Sequence, residues 1–417
     1  MRFRLALLLL ALAAPAGAQP AADCTADVEV GADLKINVHL QCGRAEPGSY
    51  RVDLMSLPQS REVIVRGQGV LATLGSWLRT PEGLGRAPSI DIRVKTAPGL
   101  VFAAGLPRVG DAWRLDGTSV RFAGYTAIGR LSLTELDGLR LAILDGVGES
   151  GRADLVDWVR RTAEAQANYW QGFQAPGLLV GLVPTPMRRA VGYGRAVSGG
   201  GPTIMVEIGP QVDRRHLFDD WVLVHEMVHI AMPFIRGRAT WFMEGAATYV
   251  EPIIRARAGW KTEEEVWREW IDNMPRGVQA FANGLQTASG GQNYWAGALF
   301  MLMADVAIRR ETEGARGLED CLGGALRSGF DAARRVGLEE YAAACGRATG
   351  TTSLGVLLER HVARGEPVDL ALLWRELGVA LVGERIVLDD TAPLARWRKQ
   401  IVMGLRPTTK VKLPWES

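Results

Sequence analysis

The hydrophobic pattern changes its period along the chain, and that change limits the fold more than any single motif does. From Cys24 to about Gly148, short runs alternate apolar with polar residues, as in Leu34-Lys35-Ile36-Asn37-Val38 and Ile90-Asp91-Ile92-Arg93-Val94, broken by Gly, Pro and Asp. Period-two alternation between turn residues predicts an antiparallel β domain. His39 falls on such a strand and is read as structural. After Gly148 the texture changes. Ser150 is positioned to cap a helix from Ala153 through Tyr169, and Leu178–Val183 and Thr203–Ile208 read as strands around a glycine-rich stretch, Gly192 to Gly201. Beyond Val212 the spacing becomes helical, with candidate helices near 215–232, 241–255, 262–273, 293–311, 318–329 and 337–346. The expected fold class is therefore α+β and multidomain: a β-rich unit over 19–148, a mainly helical unit with a small sheet over 149–385, and a C-terminal tail over 386–417.

Residues 1–18 stand outside that fold. Arg2 and Arg4, a Leu/Ala-rich run and Ala16-Gly17-Ala18 have the order of a secretory signal peptide, so an exported, periplasmic or secreted chain is expected. No later segment has membrane-spanning length; Ala296 to Ile308 comes nearest and contains Asp305. Loss of Arg2 and Arg4 leaves 46 basic against 46 acidic residues, a balance that gives no general attraction to nucleic acid or anionic membrane. The four cysteines fall as two close pairs, Cys24 with Cys42 and Cys321 with Cys345, which an oxidising compartment would allow to close as disulfides or leave as thiols. Their spacing fits no cysteine-based zinc site. Nothing in the sequence sets an oligomeric state.

The chemistry concentrates in two segments of the helical part. His225-Glu226-Met227-Val228-His229 lies within an otherwise apolar stretch that Pro233 should end. Residues four apart share a helix face, so both imidazoles can reach one ion, and Glu226 sits about 100° round the helix, toward the open side. Buried polar groups without partners cost a few kcal/mol each, and a metal would satisfy them together. A catalytic zinc needs a third protein ligand and an open position. Glu244 is the acidic residue of the run Ala231 to Val250, on a second predicted helix capped by Thr240, and Gly245, Ala246 and Ala247 would let the two helices approach closely. One zinc ion held by His225, His229 and Glu244, with Glu226 as general base, is the reading. Thr248, one turn past Glu244, could hydrogen-bond the outer nitrogen of a ligating histidine or simply pack; Glu251 is a candidate for the outer shell or for a salt bridge.

At these residues the sequence resembles the gluzincin aminopeptidases, the group that includes aminopeptidase N, leukotriene hydrolase and the glycyl aminopeptidases. Trp241, Glu244, Gly245, Tyr249 and Glu251 match its Trp-x-x-Glu-Gly-x-x-x-Tyr-x-Glu segment position by position. Tyr294-Trp295-Ala296-Gly297, continuing to Asp305, Ile308, Arg309 and Thr312, looks most like the glycyl aminopeptidase branch. The resemblance implies a thermolysin-like catalytic domain, a peptide or protein substrate and Tyr294 as donor to the oxyanion of the tetrahedral intermediate. Ala296 replaces a lysine common there, and the strand that reads a substrate's free amine is not recognisable. Its nearest candidate is Gly201 with Thr203 and Glu207. The expected function is an exported zinc metallopeptidase, acting as an aminopeptidase or otherwise. The rivals are a zinc hydrolase of a non-peptide substrate and a silent zinc-containing binding protein.

Overall fold

The computed structural model describes residues 21–43, 47–79, 89–116, 120–136, 138–173, 177–187, 190–209 and 213–404. The leader expected over 1–18 and the stretch after 404 lie outside the described residues.

Residues 24–129 carry β1 (Cys24–Val30), β2 (Lys35–Cys42), β3 (Gly48–Asp53), β4 (Val63–Arg66), β5 (Gly69–Thr73), β6 (Ile90–Thr96), β7 (Val101–Ala104), β8 (Arg108–Val109), β9 (Ala112–Leu115) and β10 (Tyr125–Gly129). They form two sheets, ordered β3-β2-β1-β6-β9-β8 and β4-β5-β10-β7. On β2 the residues Ile36, Val38, Leu40 and Cys42 are buried and those between them are not, as alternation requires. Ile36 and Ile92 from one sheet share a core with Val70 and Ile128 from the other. The wholly antiparallel expectation fails at one ladder, because β1 runs parallel to β6 with Cys24 opposite Ile90. Alternation fixes which face is buried, not which way the neighbouring strand runs. Cys24 and Cys42 are register partners joined by a disulfide. His39 Nδ1 lies 2.9 Å from Ser49 Oγ across the β2–β3 ladder, on the exposed face.

A third sheet follows, from β11 (Ser132–Leu136), β12 (Leu139–Ile143), helix α1 (Glu149–Trp170), β13 (Leu179–Pro184), β14 (Val191–Val197) and β15 (Thr203–Ile208). Its order is β11-β12-β13-β15-β14. The boundary expected at 148 therefore runs through a sheet: β12 is parallel to β13, and α1 is the crossover between them. β13 is buried along its whole length. Val180 and Leu182 face the helical core while Leu179 and Val183 face the β region, which is why its sequence is a continuous apolar run rather than an alternation. β14 was not anticipated; it is the edge strand, antiparallel to β15.

The remaining elements are α2 (Arg214–Asp219), α3 (Val222–Ile230), β16 (Phe234–Ile235), α4 (Thr240–Arg257), α5 (Glu263–Asn273), α6 (Val278–Ala282), α7 (Gly291–Glu311), α8 (Leu318–Arg327), β17 (Arg335–Val336), α9 (Leu338–Thr349), α10 (Ser353–Leu358), α11 (Leu370–Leu377), β18 (Val379–Val382), β19 (Arg385–Leu388) and α12 (Ala395–Met403). The helix expected over 215–232 is two, because the Asp220 side chain accepts the Val222 N–H at 2.7 Å and restarts the chain. The cap positions of α1 and α4 are Gly148 and Ala239, so Ser150 and Thr240 fall inside their helices. The expected tail is also corrected: α12 buries Arg398, Ile401 and Val402, and Arg257 donates to the carbonyls of Ile401 and Val402. Cys321–Cys345 ties α8 to α9. In the chain-entropy picture a closed loop of this size contributes about 3 kcal/mol. No described helix is long and apolar enough to cross a membrane, and the stretch from Ala296 to Ile308 is the largely buried middle of α7.

Candidate active site

α3 buries Val222, Leu223, Val224, Met227, Val228 and Ile230. At about 1.5–3 kcal/mol for each large apolar side chain, this burial outweighs the desolvation of the histidines on the same helix. α1 braces α3 from behind: Gln166 Nε2 donates to the Val224 carbonyl at 2.8 Å, and Trp170 Nε1 donates to Gln166 Oε1 at 2.8 Å. His225 and His229 follow one turn apart, with ring centroids 4.9 Å apart.

Glu244 reaches them from α4. Its Oε2 lies 3.2 Å from His225 Nε2 and 3.5 Å from His229 Nε2. Among the described residues, His225, His229 and Glu244 are the group whose ligand atoms all fall within 4.8 Å of one another. Burial would raise the Glu244 carboxyl, but hydrogen bonds from both histidines overcome it and hold the group well below the usual carboxylate range. Burial lowers the His225 imidazole. His229 is also desolvated, yet its contact with Glu244 and the charge of Glu226 carry it above its ordinary value. Two imidazole nitrogens and a carboxylate oxygen, open to a cleft on one side, suit a catalytic zinc. The buried His225 Nδ1 has no hydrogen-bond partner among the described residues. Thr248 does not supply one, since its hydroxyl donates to the Glu244 carbonyl of its own helix at 2.8 Å.

The close approach at Gly245 is real, but its partner is α7 rather than α3. A Cβ on Gly245 would stand 2.2 Å from Gly297 Cα, and one on Gly297 would stand 1.9 Å from the Trp241 carbonyl. Only glycine allows that backbone contact, which sets α7, and Tyr294 at its start, against α4. The Tyr294 ring stacks on His225 at 6.1 Å. Burial first, then the charges of Glu244 and Glu226, push its phenol up to about 12, so it remains a hydroxyl donor at ordinary pH.

Glu226 stays out of the ligand group and faces the same cleft. Its Oε2 accepts the Ala196 N–H of β14 at 2.8 Å. A Cβ on Gly194 would come within 2.5 Å of Val222 Cγ1 and 2.8 Å of Glu226 Cγ, so glycine lets this strand lie on α3. The cleft wall is therefore β14, which the sequence reading missed. The signal was present, since Val191-Gly192-Tyr193-Gly194-Arg195-Ala196-Val197 alternates small with larger side chains, but its glycines read as loop. The residues proposed for a substrate strand are elsewhere. Gly201 packs on Gly105, Thr203 Oγ1 is buried as acceptor of the Tyr125 N–H, and Glu207 is on the interior strand β15, outside the cleft lining. Glu251, two turns further along α4, is buried and pairs with Arg255 Nη1 at 3.4 Å, not with His225, His229 or Glu244.

The cleft measures about 390 Å³ and is lined by β14, α3, Met232 to Phe234, Met243, Glu244 and Tyr294. A groove of about 700 Å³ along α9 and α10 is larger. It brings no ligand atoms together, so volume alone does not locate the site.

The arrangement is a multi-sheet β region followed by a helical region, with a paired-histidine helix and a glutamate helix beside a sheet edge. Among solved structures, the chain is similar to an aminopeptidase N family protein from Idiomarina loihiensis, with a TM-score of 0.56, 12% identity, and coverage of 85% of this chain and 78% of that one. Further matches are an M1 zinc metallopeptidase from Deinococcus radiodurans (TM-score 0.47, 14% identity, 83% and 95% covered) and native yeast LTA4 hydrolase (0.48, 10%, 83% and 68%). The first of these carries the fold assignment. The sequence matches no protein-family model and no curated protein.

Proposed function

We propose that the chain is an exported zinc metallopeptidase that hydrolyses peptide bonds with Glu226 as general base. One observation carries the reading: Nε2 of His225, Nε2 of His229 and a Glu244 oxygen converge, while a second carboxylate, Glu226, stays apart and faces the same cleft. A structural site needs no such group. His225, His229 and Glu244 would hold the zinc, which would supply Lewis acidity at the cleft. The Ala196 N–H fixes the Glu226 carboxylate, which takes a proton from the attacking water and returns it to the leaving amine. Tyr294 keeps its proton and donates to the oxyanion. The edge of β14 away from β15 offers main-chain groups other than the Ala196 N–H, which Glu226 accepts, to an extended peptide. Export is supported by the disulfides Cys24–Cys42 and Cys321–Cys345, which persist in oxidising compartments, and by the leader-like residues 1–18.

Metal analysis and peptide digestion of the purified chain test this. Glu226→Gln should keep one zinc per chain while kcat falls roughly 10²–10⁴-fold. Full peptidase activity in that variant would overturn the role of Glu226. A wild-type protein without stoichiometric zinc would overturn the metal reading. Fractionation of cells expressing the chain with and without residues 1–18 tests export.

A further inference from the structure

We infer that Arg195 determines specificity, selecting peptides that carry an acidic side chain near the cleaved bond. The inference rests on the metallopeptidase reading above.

The charges of the cleft wall point this way. Among the described lining residues the carboxylates are Glu226 and Glu244, and both are engaged, one by the Ala196 N–H and the other by the two imidazoles. The permanent cation of that lining is Arg195. Its own partners are weak: Nη1 is 3.4 Å from the Tyr125 hydroxyl and Nη2 is 4.0 Å from Glu62, whose side chain is 62% exposed. An ion pair that long and that wet holds its partner loosely, so a substrate carboxylate can take over the guanidinium.

The rim adds charge of the same sign. Arg61 lies 4.3 Å over the ring of Tyr193 and Arg335 lies 4.2 Å over that of Phe234, and both aromatic rings line the cleft. Neither arginine has an ion-pair partner among the described residues. A positive rim around a cleft whose acids are engaged favours an anionic chain over a cationic one, both at encounter and when bound. Arg195 also lines the same cleft as Glu226, Glu244 and Tyr294, so a carboxylate held by it lies within the cleft that contains the reacting centre.

The test uses the zinc-loaded full chain and internally quenched peptides of one scaffold, each with a free and an acetylated N-terminus, differing only in Glu, Gln or Lys at positions flanking the cleaved bond. Glu peptides should show a kcat/KM about 10-fold or more above their Lys counterparts, the gain expected of one charge-assisted hydrogen bond. Arg195→Gln should bring the Glu-to-Lys ratio toward unity, and Arg195→Lys should retain most of it. Binding of the Glu peptide to the zinc-loaded Glu226→Gln protein, followed by fluorescence anisotropy, should weaken with Arg195→Gln and with added salt. Peptides cleaved without preference for Glu, or with a preference that Arg195→Gln leaves intact, would overturn the assignment while the metallopeptidase reading stands. Failure of the zinc-loaded protein to cleave any peptide would overturn both.

Discussion

Among the described residues of 24–129 the buried polar side chains are Thr73, Arg114 and Thr126, whereas from residue 213 onward they include His225, Glu251, Arg255, Asp305, Arg309, Glu319, His361 and Arg398. The two regions solve different problems. The β region buries what its alternation supplies, and Arg114, the buried cation among its described residues, pairs with Asp91 at 2.6 Å. The helical region builds a polar framework behind α4, the helix that carries Glu244. Tyr249 donates to Asp305 at 2.8 Å, Arg309 bonds Asp305 and Glu319, and Arg257 reaches Glu319. Removing one member of such a network strands a desolvated charge, while trimming an apolar core leaves only a small gap. Stability and catalysis should therefore be coupled in the second region and separable in the first.

That contrast can be broken most sharply at Arg309. Arg309→Met leaves Asp305 facing Glu319 without their shared cation, and should lower the unfolding free energy by about 3–5 kcal/mol, read from denaturant melts, with a loss of zinc affinity as α4 shifts. A smaller effect is expected at the helix contact. Gly297→Ala forces α7 from the Trp241 carbonyl at a cost of about 1–3 kcal/mol, and kcat should fall more than zinc occupancy because Tyr294 moves with α7.

Glu251 tests the same region through pH. Burial, reinforced by Glu269 and opposed by Arg255, raises its carboxyl to about 8 from an ordinary 4.5. The folded state thus favours the protonated acid, so its contribution is complete below pH 4.5 and is lost as pH rises toward 8. Glu251→Gln should flatten the stability profile across that window, removing a slope of at most about 1.4 kcal/mol per pH unit. An unchanged profile would show that burial does not raise the Glu251 carboxyl. The smallest effect belongs to the β region: Ile36→Val should cost about 0.5–1.5 kcal/mol and leave kcat/KM unaltered. A drop in kcat/KM there would end the separation drawn between the regions.

The sequence by itself named His225, His229 and Glu244 as a candidate metal group, because two histidines one turn apart need only helix geometry, whereas the approach of Glu244 to both imidazoles comes from the packing of α4 on α3. It also indicated the change from strands to helices and offered Cys24 with Cys42 and Cys321 with Cys345 as pairs that could close. It did not show that β1 and β6 run parallel, that one sheet spans residues 132 to 208, or that Gly245 meets Gly297. Each of these joins residues far apart, and a period reports which face is buried without naming what covers it. The cleft wall was hidden for the same reason. Gly192 and Gly194 weaken any strand signal, and the use of Gly194 appears only when β14 lies on α3, where a Cβ would strike Val222 and Glu226. Thr248 and Glu251 share a helix with Glu244, but only packing decided that they would bond a carbonyl and an arginine, since a helical repeat gives a side chain its direction and the neighbouring elements give it its partner.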